Sequence, residues 1–117
     1  MEKFLLLFRG EVADENAFQE LSPEAMQAEI AKWNVWIGGI AAQGKLISTE
    51  GLYPSGKMVT QSGNVVTDGP FAETKEIVGG FMLLHAADYA EAALLSKGCP
   101  SLFTGGSVEI RQIQNFG

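Results

Sequence analysis

Between Thr67 and Glu76 the chain reads TDGPFAETKE, which gathers Asp68, Glu73 and Lys75 around a Gly69-Pro70 bend. An aspartate at such a bend accepts hydrogen bonds from amides two residues ahead, and Gly-Pro makes the turn tight and stiff. Proline also removes one amide donor and drives the residue before it towards extended geometry. Two readings follow. In one, Asp68 closes an Asx turn on its own backbone, and Glu73 and Lys75 form a solvated charged face. In the other, a carboxylate and backbone amides stand rigidly at a pocket mouth. Asp68 or Glu73 would then act as acid or base, with Lys75 binding a polar ligand.

The end of the chain holds a second constellation. Val108, Ile110 and Gln112 alternate with Glu109, Arg111 and Ile113, so the two sets point to opposite faces of a strand. If the first set meets the helices, Glu109 and Arg111 face the other way, and a neighbouring first strand brings Arg9 close. Two guanidinium groups and a carboxylate in a half-buried space suit an anionic ligand, and Arg111 could also stabilise negative charge in a reaction. The competing reading is a surface or interface ion pair contributing about 0–1 kcal/mol.

The chain has one histidine, His85, at a strand end beside the turn into a helix. It reads as a ligand-binding, general-base or metal-ligating group, or as a structural or surface histidine. Asp88, three residues on, reads as a helix N-cap. Cys99 precedes Pro100 at a helix end and reads as a small buried residue rather than a nucleophile. The carboxylates Glu11, Asp14 and Glu15 have no histidine or cysteine at ligand spacing, so no metal site is expected. Gly38-Gly39 and Gly105-Gly106 lack a phosphate-loop pattern, and no cofactor is expected.

These residues need elements to hold them. Lys3 to Arg9 predicts a first strand whose faces, Phe4-Leu6-Phe8 and Leu5-Leu7-Arg9, are both largely apolar and both covered. Ser22-Pro23-Glu24 opens a helix, with Ser22 as N-cap and Pro23 in the first turn. Met26, Ile30, Trp33, Ile37 and Ile40 make one stripe along it. Trp36 falls off that stripe, which predicts packing at a subunit contact. Gly44 stops the helix. Leu46-Ile47 and Met58 to Gln61 predict strands, and Ser62-Gly63-Asn64 a hairpin turn into Val65-Val66-Thr67. Ile77 to His85 predicts a further strand, in which Gly79-Gly80 marks a bulge or a close backbone approach. Asp88 caps a second helix running through Lys97, and Val108 to Ile113 is the last strand.

Strand, helix, strands, helix, strand is the order of a split βαβ fold. It predicts an α+β chain, one domain over 1–117, with a ferredoxin-like antiparallel sheet and two helices on one face. The other face, with Leu5 and Leu7, then needs a cover. Pairing two sheets face to face in a homodimer supplies it, with either an apolar interface or, because some positions are polar, a cavity between subunits.

The segment VTDGPFAETKEIVGGF resembles the signature of the YCII-related, DGPF-motif family. The Phe4-Leu5-Leu6-Leu7 strand, the SPEAM helix opening, Gly51-Leu52, GGFMLLHAADYAEAALLSKGCP and VEIRQI are similar to its other parts, so the likeness covers nearly the whole chain. The resemblance implies a ferredoxin-like fold and a dimeric α+β barrel, but no particular reaction. Similar proteins are associated with extracytoplasmic-function sigma factors, which implies a regulatory setting and a sigma-factor-related partner. Related barrels include lactone isomerases and small monooxygenases. Some family members carry a His/Asp pair, which is not carried over here, since Asp88 reads as a cap for the helix after His85.

Two functions therefore stand side by side. One is a homodimeric binding or regulatory module with a pocket for a small polar or anionic ligand. The other is a small-molecule enzyme (an isomerase, lyase or cofactor-free oxygenase) working by carboxylate acid/base chemistry in an intersubunit cavity. Composition narrows the field further. A formal net charge of −6 with eight scattered basic residues argues against direct nucleic-acid binding, which needs a basic stripe. No apolar run approaches the roughly 20 residues of a membrane span. The apolar patch from Phe4 to Phe8 is too short for a signal core, and a lone cysteine suits a reducing compartment, so cytoplasm is expected.

Overall fold

The sheet's central pair is β1 (Glu2–Glu11) and β5 (Glu76–Ala86), antiparallel, with β2 (Leu46–Gly51) outside β5 and β6 (Ser107–Gln112) outside β1. The computed structural model describes residues 1–11, 22–53, 55–59, 65–66 and 76–116. Two further strands, β3 (Met58–Val59) and β4 (Val65–Val66), pair as a separate two-stranded ribbon. The helices are α1 (Pro23–Ala42) and α2 (Tyr89–Ser96), and a single 3-10 turn spans Pro100–Phe103. The order β2-β5-β1-β6, with antiparallel neighbours, is the expected split βαβ arrangement. The hairpin turn expected at Ser62-Gly63-Asn64 lies outside the described residues.

Local chemistry sets the helix boundaries. Ser22 is extended, and its hydroxyl accepts from the Ala25 amide at 3.1 Å. Pro23 fills the first helical position, where a missing N–H is harmless. Gly44 takes φ +71° just past the helix, a conformation open to glycine without strain. For α2, the Asp88 carboxylate accepts from the Glu91 amide at 2.9 Å, while the Glu91 carboxylate accepts from the Ala87 amide at 3.0 Å. A first-turn amide and the amide just before the cap are thus satisfied in exchange, in a variant of the capping box.

The core lies between the sheet and the helices. Phe4, Leu6 and Phe8 of β1 and Met82, Leu84 and Ala86 of β5 meet Trp36 and Ile40 of α1 and Ala92 of α2. Val108 and Ile110 pack against the same cluster, which fixes Glu109 and Arg111 on the opposite side. One expectation fails here. Trp36 is a core residue, 9% exposed, whereas Ile30 of the expected stripe is 52% exposed. The physical reason is a partner without a side chain. The Trp36 indole lies over Gly98, where a Cβ would come within 2.9 Å of its Cδ1, and its Nε1–H donates to the Leu95 carbonyl at 2.9 Å. Trp33, Trp36 and Phe8 form a ring cluster with centroids 5.1 to 5.8 Å apart. Each such contact contributes about 0.5–1.5 kcal/mol beyond area burial.

The Gly79-Gly80 pair serves both of its expected purposes. Phe8 pairs with Gly80 and Arg9 with Val78, so Gly79 is the extra residue of a bulge. At Gly80 a Cβ would meet the Glu50 carbonyl oxygen at 2.8 Å and Phe8 Cδ2 at 3.2 Å. Without the bulge, residues after Phe8 would keep their old register against β5.

Candidate functional site

The sheet face turned away from the helices holds the sequence-predicted groups that lie among the described residues. Its first row across the strands is Ser48, Leu83, Leu5 and Arg111, and its second is Glu50, Phe81, Leu7 and Glu109. Arg9 follows on β1, between Val78 and Ser107. Leu5, Leu7, Phe81 and Leu83 are half-buried, while their neighbours Phe4, Leu6, Met82 and Leu84 are fully buried on the helix side. No described helix packs on the first set.

At one edge of this face the charges converge. The Arg9 Nη1 donates to Glu109 Oε1 at 3.4 Å, and the Arg111 Nη1 donates to Glu109 Oε2 at 3.4 Å. One carboxylate therefore takes a different guanidinium on each oxygen. The register explains the geometry: Glu109 stands opposite Leu7, which makes Arg9 its diagonal neighbour, and Arg111 is two residues on along the same face. Both contacts exceed the about 2.7–2.9 Å of a tight charge-assisted bond. The side chains are 33%, 36% and 69% exposed for Arg9, Glu109 and Arg111. Each such open pair contributes about 0–1 kcal/mol.

His85 shares the face but not the cluster. It pairs with Lys3, one row beyond Leu83, and its amide donates to the Lys45 carbonyl at 2.7 Å. Asp88 caps α2, as its place in the sequence predicts. Asp68, Glu73 and Lys75, with the whole DGPF turn, lie outside the described residues.

On the helix side, Cys99 is fully buried with its Sγ 3.1 Å from the Ser101 hydroxyl. Burial pushes the thiol up from its ordinary value, partly offset by hydrogen bonds with Ser101. A protonated, enclosed thiol is a poor nucleophile, as its sequence context predicts. Among the described residues no three His, Cys, Asp or Glu side chains gather to hold a metal. Nor is any described helix long and apolar enough to cross a membrane.

Sequence reasoning missed two features. Glu50 and Ser48 complete the rows on the outer face, because β2 runs to Gly51 rather than ending at Ile47. Alternation through Ser48-Thr49-Glu50 was the available signal, weak because those residues are polar throughout. The other is a groove of about 720 Å³ on the helix side, lined by Met26, Ile30 and Trp33 of α1 and by Pro100, Ser101 and Thr104. The exposed Ile30 was its only trace in the pattern.

Compared with families of known proteins, residues 16–117 match the model of the YCII-related domain. No curated protein matches the chain.

Proposed function

Because the chain belongs to the YCII-related domain family, we propose that it is a homodimeric binding module whose pocket for a small polar ligand lies on the sheet face opposite its helices. The observation that carries this reading is the outer face itself, with four half-buried apolar side chains bordered by Arg9, Glu109 and Arg111. The molecule is only 19 Å across in its thinnest direction, the depth of one sheet and one helix layer. A second copy set sheet to sheet would supply a missing layer over Leu5, Leu7, Phe81 and Leu83. The polar groups at the rim would keep part of the seam open to a ligand.

A regulatory setting beside an extracytoplasmic-function sigma factor, in the cytoplasm, belongs to the same proposal. Its support is the resemblance in sequence. The enzymatic alternative needs Asp68 or Glu73 as acid or base, and no observation among the described residues favours it over binding.

Native mass spectrometry of the gently purified protein tests the reading. A dimer carrying a small nonprotein mass is the expected result. A bare dimer would retain the face-to-face pairing and turn the search to a protein partner. A bare monomer would overturn the proposal.

A further inference from the structure

Between the end of β2 and the start of the ribbon, large apolar side chains gather in water. Tyr53 is 89% and Val59 67% exposed, and Leu52 and Met58 are each about half exposed. Single apolar residues scattered over a surface are ordinary, but these four belong to one short segment. Up to Leu52 that segment is tied to the main sheet: Gly51 pairs with Gly80, and the Leu52 amide donates to the Gly79 carbonyl at 2.9 Å. Met58 and Val59 then form β3, which among the described residues pairs with β4 alone. Consecutive strand residues point to opposite faces, so the described part of the chain leaves both faces of β3 open. A two-stranded ribbon by itself is marginal in water and needs a further strand, a helix or another surface against it.

The outer sheet face is short of contact area in the same way. Its four strands, at about 4.8 Å spacing and paired over about seven residues of about 3.3 Å each, present a flat face of roughly 450 Å². A stable interface usually buries about 800 Å² on each partner. Two such faces alone, with a rim open to a ligand, fall short of that. Resting on the reading of the protein as a face-to-face homodimer, we propose that the β3–β4 ribbon of each subunit is an arm that lies on the other subunit. Two-fold symmetry makes the two arms equivalent, each docking on the same patch of its partner. Leu52 and Tyr53 at the root of the arm, with Met58 and Val59 on the ribbon, supply the apolar area that the sheet faces lack. The second copy in turn supplies the surface that the ribbon lacks.

Sedimentation equilibrium and amide hydrogen exchange on the full chain test this. Val59→Asp should weaken the dimer at least about tenfold, and Val59→Thr, which keeps the branched shape and the strand preference, about three- to tenfold. Both variants should keep the parent's far-ultraviolet circular dichroism spectrum. An exposed side chain without a partner would tolerate either change within about twofold. The ribbon amides should also exchange at least about tenfold more slowly in the parent dimer than in Leu7→Lys, a variant with a charge in the seam between the sheets. Dimer affinity unchanged in Val59→Asp, or ribbon amides equally protected in dimer and monomer, would overturn the inference while leaving the face-to-face pair in place. A monomeric parent, or a Leu7→Lys variant that stays dimeric, would sink the underlying reading instead.

Discussion

Gly98, in the turn after α2, lacks a side chain for the sake of a residue on α1. A methyl group there would press on the Trp36 indole at 2.9 Å, and the indole is held in place by its bond to the Leu95 carbonyl. Gly98→Ala is therefore expected to destabilise the fold by about 1–3 kcal/mol, the usual range for forcing extra volume into a packed core. A urea midpoint that falls at unchanged slope would register it. An unchanged midpoint would mean that the indole moves aside freely. This contact also explains where the sequence was hard to read. The spacing of apolar residues along α1 identified a buried face, but the choice between Ile30 and Trp36 depends on a glycine 62 positions away in the chain. Periodicity carries no such information. Arg9, Glu109 and Arg111 were legible because strand alternation and strand order alone bring them together.

At the scale of elements, both helix starts were written locally, since a cap acts on amides within one turn. The Asp88 carboxylate holds the Glu91 amide, and the Glu91 carboxylate in turn holds the Ala87 amide and pairs with Lys45 at 3.4 Å. Asp88→Ala should cost about 0.5–2 kcal/mol, while Asp88→Asn should lie close to the parent protein. Thermal unfolding of the two variants checks this, and an equal loss in both would show that the charge rather than the cap matters. Strand β2 was shorter in the sequence reading because its second half is polar. Those residues are held by partners instead: Thr49 donates its hydroxyl to the Phe81 carbonyl at 2.8 Å, and Glu50 and Gly51 pair with Phe81 and Gly80. A strand fixed by its neighbour leaves little trace in its own composition.

For the molecule as a whole, one sheet face is packed by helices and the other carries leucines in the middle of its rows. Leu7 lies between Phe81 and Glu109, far from the core side. Leu7→Lys should place a charge in the seam of the proposed dimer and yield a folded monomer, seen by native mass spectrometry together with an unaltered far-ultraviolet circular dichroism spectrum. A dimer that survives the substitution would put the subunit contact elsewhere. The layering was legible from the order of elements, while what covers the second face is not a property of one chain's pattern. The ion pair between Arg9 and Glu109 spans 100 residues of sequence, and this has a consequence for the protein while it is being made. At synthesis rates of about 5–20 residues per second, Arg9 exists for about 5–20 s before the strand that carries its partner has been polymerised. During that time β1, an inner strand of the finished sheet, has an unclaimed edge and an apolar flank on both sides. The charged corner of the outer face is thus among the last features the nascent chain can assemble, and a chain stalled before β6 would present a sticky strand to the cell's chaperones rather than a finished sheet.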